Sequence, residues 1–311
     1  KGAALTQNAG TNYTRDILHS VIYFGYVDFV PMLMRNGANV KNVSADQGTA
    51  LGSCTGNTVL HYVTDKGSDL SKEDRARLAR MFVRAGADVN ALNLDVLSGN
   101  KVSALYKAIK NNFADVAKVL IQSGADVNTL VKLTGRLTDT GTSLHLIAAE
   151  KNLDLELAKL VIMRVKNINA TSQSLKNTAL HLCAYRAHTE LAKLLIRNGA
   201  DLNALDVNNQ GVLHYALKRR SSSRGILELV QLLVQNGVSV NVSDNCNATP
   251  LLVALDHKFP DVAKFLIENG ANVQVQCVNG KTPLLLAVKE QYVDIAKICI
   301  QKGADVDAVC K

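Results

Sequence analysis

Thr178-Ala-Leu-His181, then Leu191-Ala-Lys-Leu-Leu195, then Gly199-Ala-Asp-Leu-Asn203 is the stretch that decides how this chain folds. Threonine is a good helix N-cap, because its oxygen accepts a backbone N–H that the first turn leaves open. Leu191, Leu194 and Leu195 stand at i, i+3 and i+4, the spacing of one apolar helix face. Gly199 ends that helix, since glycine enters the left-handed conformation without a Cβ penalty. Three phrases thus spell helix, turn, amphipathic helix and exit.

The opening phrase recurs as Thr58-Val-Leu-His61, Thr142-Ser-Leu-His145, Gly211-Val-Leu-His214, Thr249-Pro-Leu-Leu252 and Thr282-Pro-Leu-Leu285, with weaker copies at Asp16-Ile-Leu-His19 and Ser103-Ala-Leu-Tyr106. The shared leucines Leu18, Leu60, Leu105, Leu144, Leu180, Leu213, Leu251 and Leu284 are 42, 45, 39, 36, 33, 38 and 33 residues apart. The exit phrase recurs with glycines 37, 86, 124, 199, 237, 270 and 303; only the fourth copy, Val165-Lys-Asn-Ile-Asn169, lacks one. A single helix pair cannot bury its apolar face, so such units must stack on one another.

These phrases closely resemble the ankyrin repeat, with its Thr-Pro-Leu-His start and Gly-Ala-Asp-Val-Asn exit, over nearly the whole chain. The resemblance implies an all-α repeat solenoid with short β-hairpin fingers. The expected organisation is one ankyrin-repeat domain over 1–311. Residues 1–10 read as the end of a preceding repeat, and the repeats span approximately 11–42, 53–90, 98–128, 137–169, 173–203, 206–241, 244–274 and 277–307. Both ends read as cut from a longer array, and the glycine-free fourth repeat reads as a hinge.

Composition fits many small contacts: the 311 residues are 5% aromatic, contain no Trp and are 20% charged. No apolar run reaches the roughly 20 residues of a membrane span. The six cysteines form no close pair and read as reduced thiols in a cytoplasmic or nuclear protein. Residues in excess of a 33-residue unit fall at Asn42–Asn57, Ser68–Asp74, Leu92–Lys101, Thr129–Thr140 and Arg220–Arg224. Loops of this kind on a rigid scaffold are where recognition concentrates, although surface insertions are also thermodynamically cheap.

His19, His61, His145, His181 and His214 occupy one slot of different repeats, which spaces them about 10 Å apart and rules against a shared metal. The trio His181, Cys183 and His188 reads as two core positions and one surface position. No phosphate loop or nucleophile motif is present, so catalytic residues, metal and cofactor are all expected to be none. Arg80, Lys118, Lys159, Lys193, Lys264 and Lys297 form a basic stripe on the outer helices. Asp115, Glu156, Glu190, Asp261 and Asp294 precede five of them by three residues, so the stripe is expected to pair with itself.

The net charge of +8 then resides elsewhere. Ankyrin repeats commonly bind partners in a groove lined by finger tips and the ends of the first helices. Carried over by motif position, the groove residues are Lys110, Asn111, Lys176, Tyr185, Arg186, Lys218, Arg219, Arg220 and His257. The reading is a scaffold or adaptor that takes an extended, acidic or phosphorylated protein segment, with no oligomer required. Arg219-Arg220-Ser221-Ser222 also resembles a basophilic kinase site, with Ser222 as the phosphate acceptor. Two alternatives stand beside this: a reader of nucleic acid or phosphoinositide, less favoured because the stripe self-neutralises, and a regulatory array of a larger enzyme, channel or toxin.

Overall fold

The computed structural model describes residues 16–44, 54–95, 100–133, 139–218 and 223–308. Among them sixteen helices run in consecutive pairs. Two compact units make up the chain, 1–132 and 133–311. The first holds α1 (Ile17–Tyr23), α2 (Phe29–Arg35), α3 (Val59–Val63), α4 (Lys72–Arg84), α5 (Ala104–Lys110) and α6 (Ala114–Gln122). The second holds α7 (Ser143–Ala149), α8 (Leu155–Ile162), α9 (Ala179–Arg186), α10 (Thr189–Arg197) and α11 (Val212–Leu217). It continues with α12 (Ser223–Gln235), α13 (Pro250–Asp256), α14 (Pro260–Glu268), α15 (Pro283–Lys289) and α16 (Val293–Gln301).

Within the second unit α7, α9, α11, α13 and α15 stack as one layer, and α8, α10, α12, α14 and α16 as the other. In the first, α1, α3 and α5 stack, and α4 packs on α6. Each unit is therefore a helical repeat solenoid. The repeated leucines Leu60, Leu105, Leu144, Leu180, Leu213 and Leu251 are buried between the layers. Full burial of one such side chain contributes about 1.5–3 kcal/mol.

The repeated histidines explain how neighbouring repeats join. The backbone N–H of Thr178 donates to His181 Nδ1 over 3.1 Å. An N–H can only donate, so the ring proton sits on Nε2, which then donates to Gln210 O at 3.2 Å in the next finger. His61 makes the same pair of bonds, to Thr58 and to Val102 O, as do His145, to Thr142 and Asn177 O, and His214, to Gly211 and Ala248 O. The exit asparagines add a second stitch. Asn169 Nδ2 donates to Gly199 O at 3.1 Å, while its Oδ1 accepts from Asp201 N at 2.7 Å. Asn90 and Asn241 repeat this on Gly124 with Asp126 and on Gly270 with Asn272.

The insertions take different forms. Within Leu92–Lys101, of which 96–99 lie outside the described residues, β2 (Leu92–Asp95) pairs antiparallel with β3 (Asn100–Ser103), and β1 (Cys54–Thr55) adds to the other edge of β2. Ser68–Asp74 folds down onto its own repeat. Arg75, 4% exposed, donates to Val63 O, Asp65 O, Ser68 O and Ser68 Oγ over 2.7–2.9 Å, and its guanidinium lies 4.3 Å from the centre of the Phe113 ring. Asp69 N donates to Tyr23 O in the preceding repeat, so close that a Cβ on Gly25 would collide with Asp69 O. This loop, which the sequence left open between a recognition element and a neutral insertion, braces two helix pairs. Most of Asn42–Asn57 and parts of Thr129–Thr140 and Arg220–Arg224 lie outside the described residues.

Candidate functional site

The inner helices end at the surface expected to form the groove, and each described candidate side chain has a specific position there. Lys110 is exposed at the last turn of α5, with its ammonium 5.4 Å from the centre of the Tyr106 ring. Asn111 follows it as the C-cap, and its amide reaches the preceding repeat, donating to Thr64 O at 2.8 Å. That bond closes an open carbonyl at the end of α3. Asn111 is thereby a joint between repeats.

In the second unit Tyr185 and Arg186 are half-buried at the end of α9, with the guanidinium 5.9 Å from the centre of the tyrosine ring. Lys176 is exposed in the finger before α9, in a left-handed conformation at φ +57°. Lys218 caps α11; its ammonium donates to Gln210 Oε1 and lies 4.3 Å from the centre of the Tyr215 ring. Partial burial lowers the Lys218 pKa, against the pull of Asp206 and Asp244, which raises it. His257 caps α13 and donates from Nδ1 to Leu217 O at 2.6 Å, the same reach back to a preceding helix that Asn111 makes. Arg219, Arg220 and Ser222 lie outside the described residues.

Charge is not distributed evenly along this surface. Lys258 closes on Glu290 at 2.8 Å and Lys281 on Asp256 at 2.7 Å. Lys218 is instead held by a neutral amide and an aromatic face. Asp206 and Asp244 pull on its charge while making hydrogen bonds of their own, Asp244 among them to Gln210 Nε2 at 3.0 Å. Asp206 accepts from its own finger and from the Tyr215 hydroxyl at 2.9 Å, and Asp244 accepts from Cys246 N and Ala248 N. The sequence singled out Lys218 but not Gln210 or Tyr215, the two residues that orient it. Their only signal was the finger aspartate ahead of Gly211 and of Thr249.

On the outer helices Lys159 pairs with Glu156 and Lys193 with Glu190, each at 2.6 Å. The histidine–cysteine trio is consumed by structure: the Cys183 thiol donates to His188 O at 3.1 Å, and His188 Nε2 donates to Glu150 O at 2.8 Å. Burial pushes the Cys183 thiol pKa far up, away from a reactive thiolate. Among the described residues no cluster of three or more His, Cys, Asp or Glu could hold a metal ion. No helix among them is long and apolar enough to cross a membrane.

The chain matches the family model for ankyrin repeats (three copies) over residues 18–131, 144–244 and 220–310. It is similar to a putative ankyrin repeat protein of Acanthamoeba polyphaga mimivirus, 36% identical over 72 residues, which are 23% of this chain and 9% of that protein. A putative ankyrin repeat protein of fowlpox virus (strain NVSL) is 38% identical over 63 residues, 20% of this chain and 33% of that protein. An ankyrin repeat domain-containing protein of monkeypox virus is 29% identical over 85 residues, 27% of this chain and 17% of that protein. Each match thus spans no more than 33% of the relative's length.

Proposed function

The chain belongs to the ankyrin-repeat family, and on that premise we propose that its second unit holds an extended acidic or phosphorylated segment of a partner protein against Lys176, Tyr185, Arg186 and Lys218. Ankyrin repeats generally mediate protein–protein interaction, and the family is typically non-catalytic. The observation that carries the reading is the contrast along one surface. Lys258 and Lys281 close on carboxylates in direct ion pairs, while Lys218, drawn by Asp206 and Asp244 without closing on either, donates to the Gln210 amide and faces the Tyr215 ring. Tyrosine and arginine, side by side at Tyr185 and Arg186, are the side chains most enriched at interface hot spots. The scaffold or adaptor role rests on the same features.

The test is binding of two fluorescent probes, a glutamate-rich peptide and a phosphoserine peptide, to the wild type and to an Arg186→Glu, Lys218→Glu variant of confirmed helicity. Reversing two charges at the site should weaken capture at least about tenfold, equivalent to about 1.4 kcal/mol. Equal binding by the two proteins would remove this surface from consideration. Tight binding of duplex DNA with a steep salt dependence would instead favour the polyanion reading.

A further inference from the structure

Cys246 lies in the finger before α13 and Cys277 in the finger before α15, thirty-one positions later. Two hydrogen bonds join these fingers at the cysteines themselves. Val278 N donates to Cys246 O at 3.0 Å, and Asn247 Nδ2 donates to Gln276 O at 2.6 Å. Cys277 is thus bracketed by two residues that are bonded to Cys246 and to its neighbour. Backbones joined by such a bond run about 4.8 Å apart, inside the roughly 4.4–6.8 Å between Cα atoms that a disulfide spans. Among the described cysteines Cys183 and Cys299 are buried, whereas Cys246 is exposed and Cys277 half-buried.

Cys277 stands five residues before its helix start, where the two preceding fingers carry Asp206 and Asp244. Each of those carboxylates accepts two N–H groups of its own finger. Asp244 also reaches back to the finger before it, accepting from Gln210 Nε2 at 3.0 Å. A side chain at this place therefore spans two fingers, and a thiol there is a weak acceptor that forgoes the carboxylate's bonds. We infer that Cys246 and Cys277 are a reversible oxidation site, closed to a disulfide by exchange with a small-molecule disulfide. The exposed Cys246 thiolate attacks first, forming a mixed disulfide and expelling one thiolate. The Cys277 thiolate then attacks the Cys246 sulfur and expels the second. Two thiol protons and two electrons leave the protein, and the oxidant is reduced to two thiols. The bridge closes the loop that contains α13 and α14, fixing this helix pair between its two fingers.

Peptide mapping of the reduced 311-residue chain after treatment with oxidised glutathione tests this. The reaction is run at about pH 8, near the ordinary thiol pKa. One internal disulfide should join the peptides that carry Cys246 and Cys277, with a mass loss of two hydrogens. Cys277→Ser should stop at a glutathione adduct on Cys246. Cys246→Ser should take up glutathione at Cys277 at least about tenfold more slowly than the wild type forms its bridge, because the less accessible thiol must then react first. Amide hydrogen exchange in α13 and α14 should slow at least about tenfold in the bridged form and recover on reduction, an effect absent from treated Cys277→Ser. A wild type that keeps glutathione on Cys246, or that joins either cysteine to a different one, would overturn the proposal. So would a wild type with both thiols still reduced after treatment, or a bridge that leaves exchange in α13 and α14 unchanged.

Discussion

The ring of His181 cannot hold a proton on both nitrogens in this fold, because the Thr178 N–H occupies Nδ1 as a donor. Burial pushes its pKa down to about 4 and that of His61 to about 3, the latter helped by the Lys107 ammonium; His145 and His214 are lowered from the same first cause. Each ring therefore stays neutral in the folded state at a pH where it would be charged in the unfolded chain. The unfolded chain takes up the extra protons, so stability is full above about 6.5 and is lost as pH falls towards the folded values. His61, His145, His181 and His214 should each cost up to about 1.4 kcal/mol per pH unit below about 6. Urea midpoints that do not decline between pH 7 and 5, above the range in which carboxylates titrate, would contradict this assignment.

At the scale of elements, the two unusual repeats are informative. Arg75 satisfies three carbonyls and a hydroxyl inside the brace that follows α3, and removing it strands buried acceptors. Arg75→Ala should destabilise the first unit by roughly 2–4 kcal/mol in denaturant titration, whereas Arg77→Ala on the exposed side of α4 should do little. The exit of α8 solves its missing glycine differently. Val165 N donates to Val161 O at 3.0 Å after a right-handed Met163, with no left-handed residue at the turn. At Gly270, by contrast, φ is +89° and nothing lies within 4 Å of a built Cβ, so any cost of Gly270→Ala is backbone strain alone, about 1–2 kcal/mol. Val165→Gly should bring no gain, since no left-handed position awaits it; a clear rise in midpoint would show otherwise.

The same elements show what was legible beforehand. The helix starts, exits and core leucines follow from local rules, because a cap or a left-handed turn is set within a few residues. The pairs Glu156–Lys159 and Glu190–Lys193 were legible for the same reason. Asn111 and His257 stood out as groove side chains, and each also gives one donor, Nδ2 and Nδ1, to Thr64 O and Leu217 O, 47 and 40 residues earlier. No pattern of period two or 3.6 encodes a bond across a repeat. The brace was hidden for a like reason: the four acceptors of Arg75 meet only once Ser68–Asp74 has turned back. Arg219, Arg220 and Ser222 belong to residues the structure does not describe.

On the scale of the whole molecule, contacts run between neighbouring helix pairs, so surface chemistry can vary without altering the joints. Salt provides a graded readout of the proposed groove. A site built on a few cations should lose affinity only modestly between 50 and 200 mM salt, far less than the 10³–10⁵-fold fall of a protein that neutralises many phosphates. A loss of that larger size with the peptide probes would mean that long-range charge, and not the oriented Lys218, governs capture.

The histidine bridge also has a direction in time. His61 finds its carbonyl on Val102, 41 residues later, and His145, His181 and His214 find theirs 32, 29 and 34 residues later. A ribosome makes the ring before its acceptor, so every newly made helix pair of this kind waits, with one buried donor unmet, for the following finger to emerge. Completion therefore trails synthesis by about one repeat, and a translational pause placed just before a finger would hold the preceding pair in its least stable form.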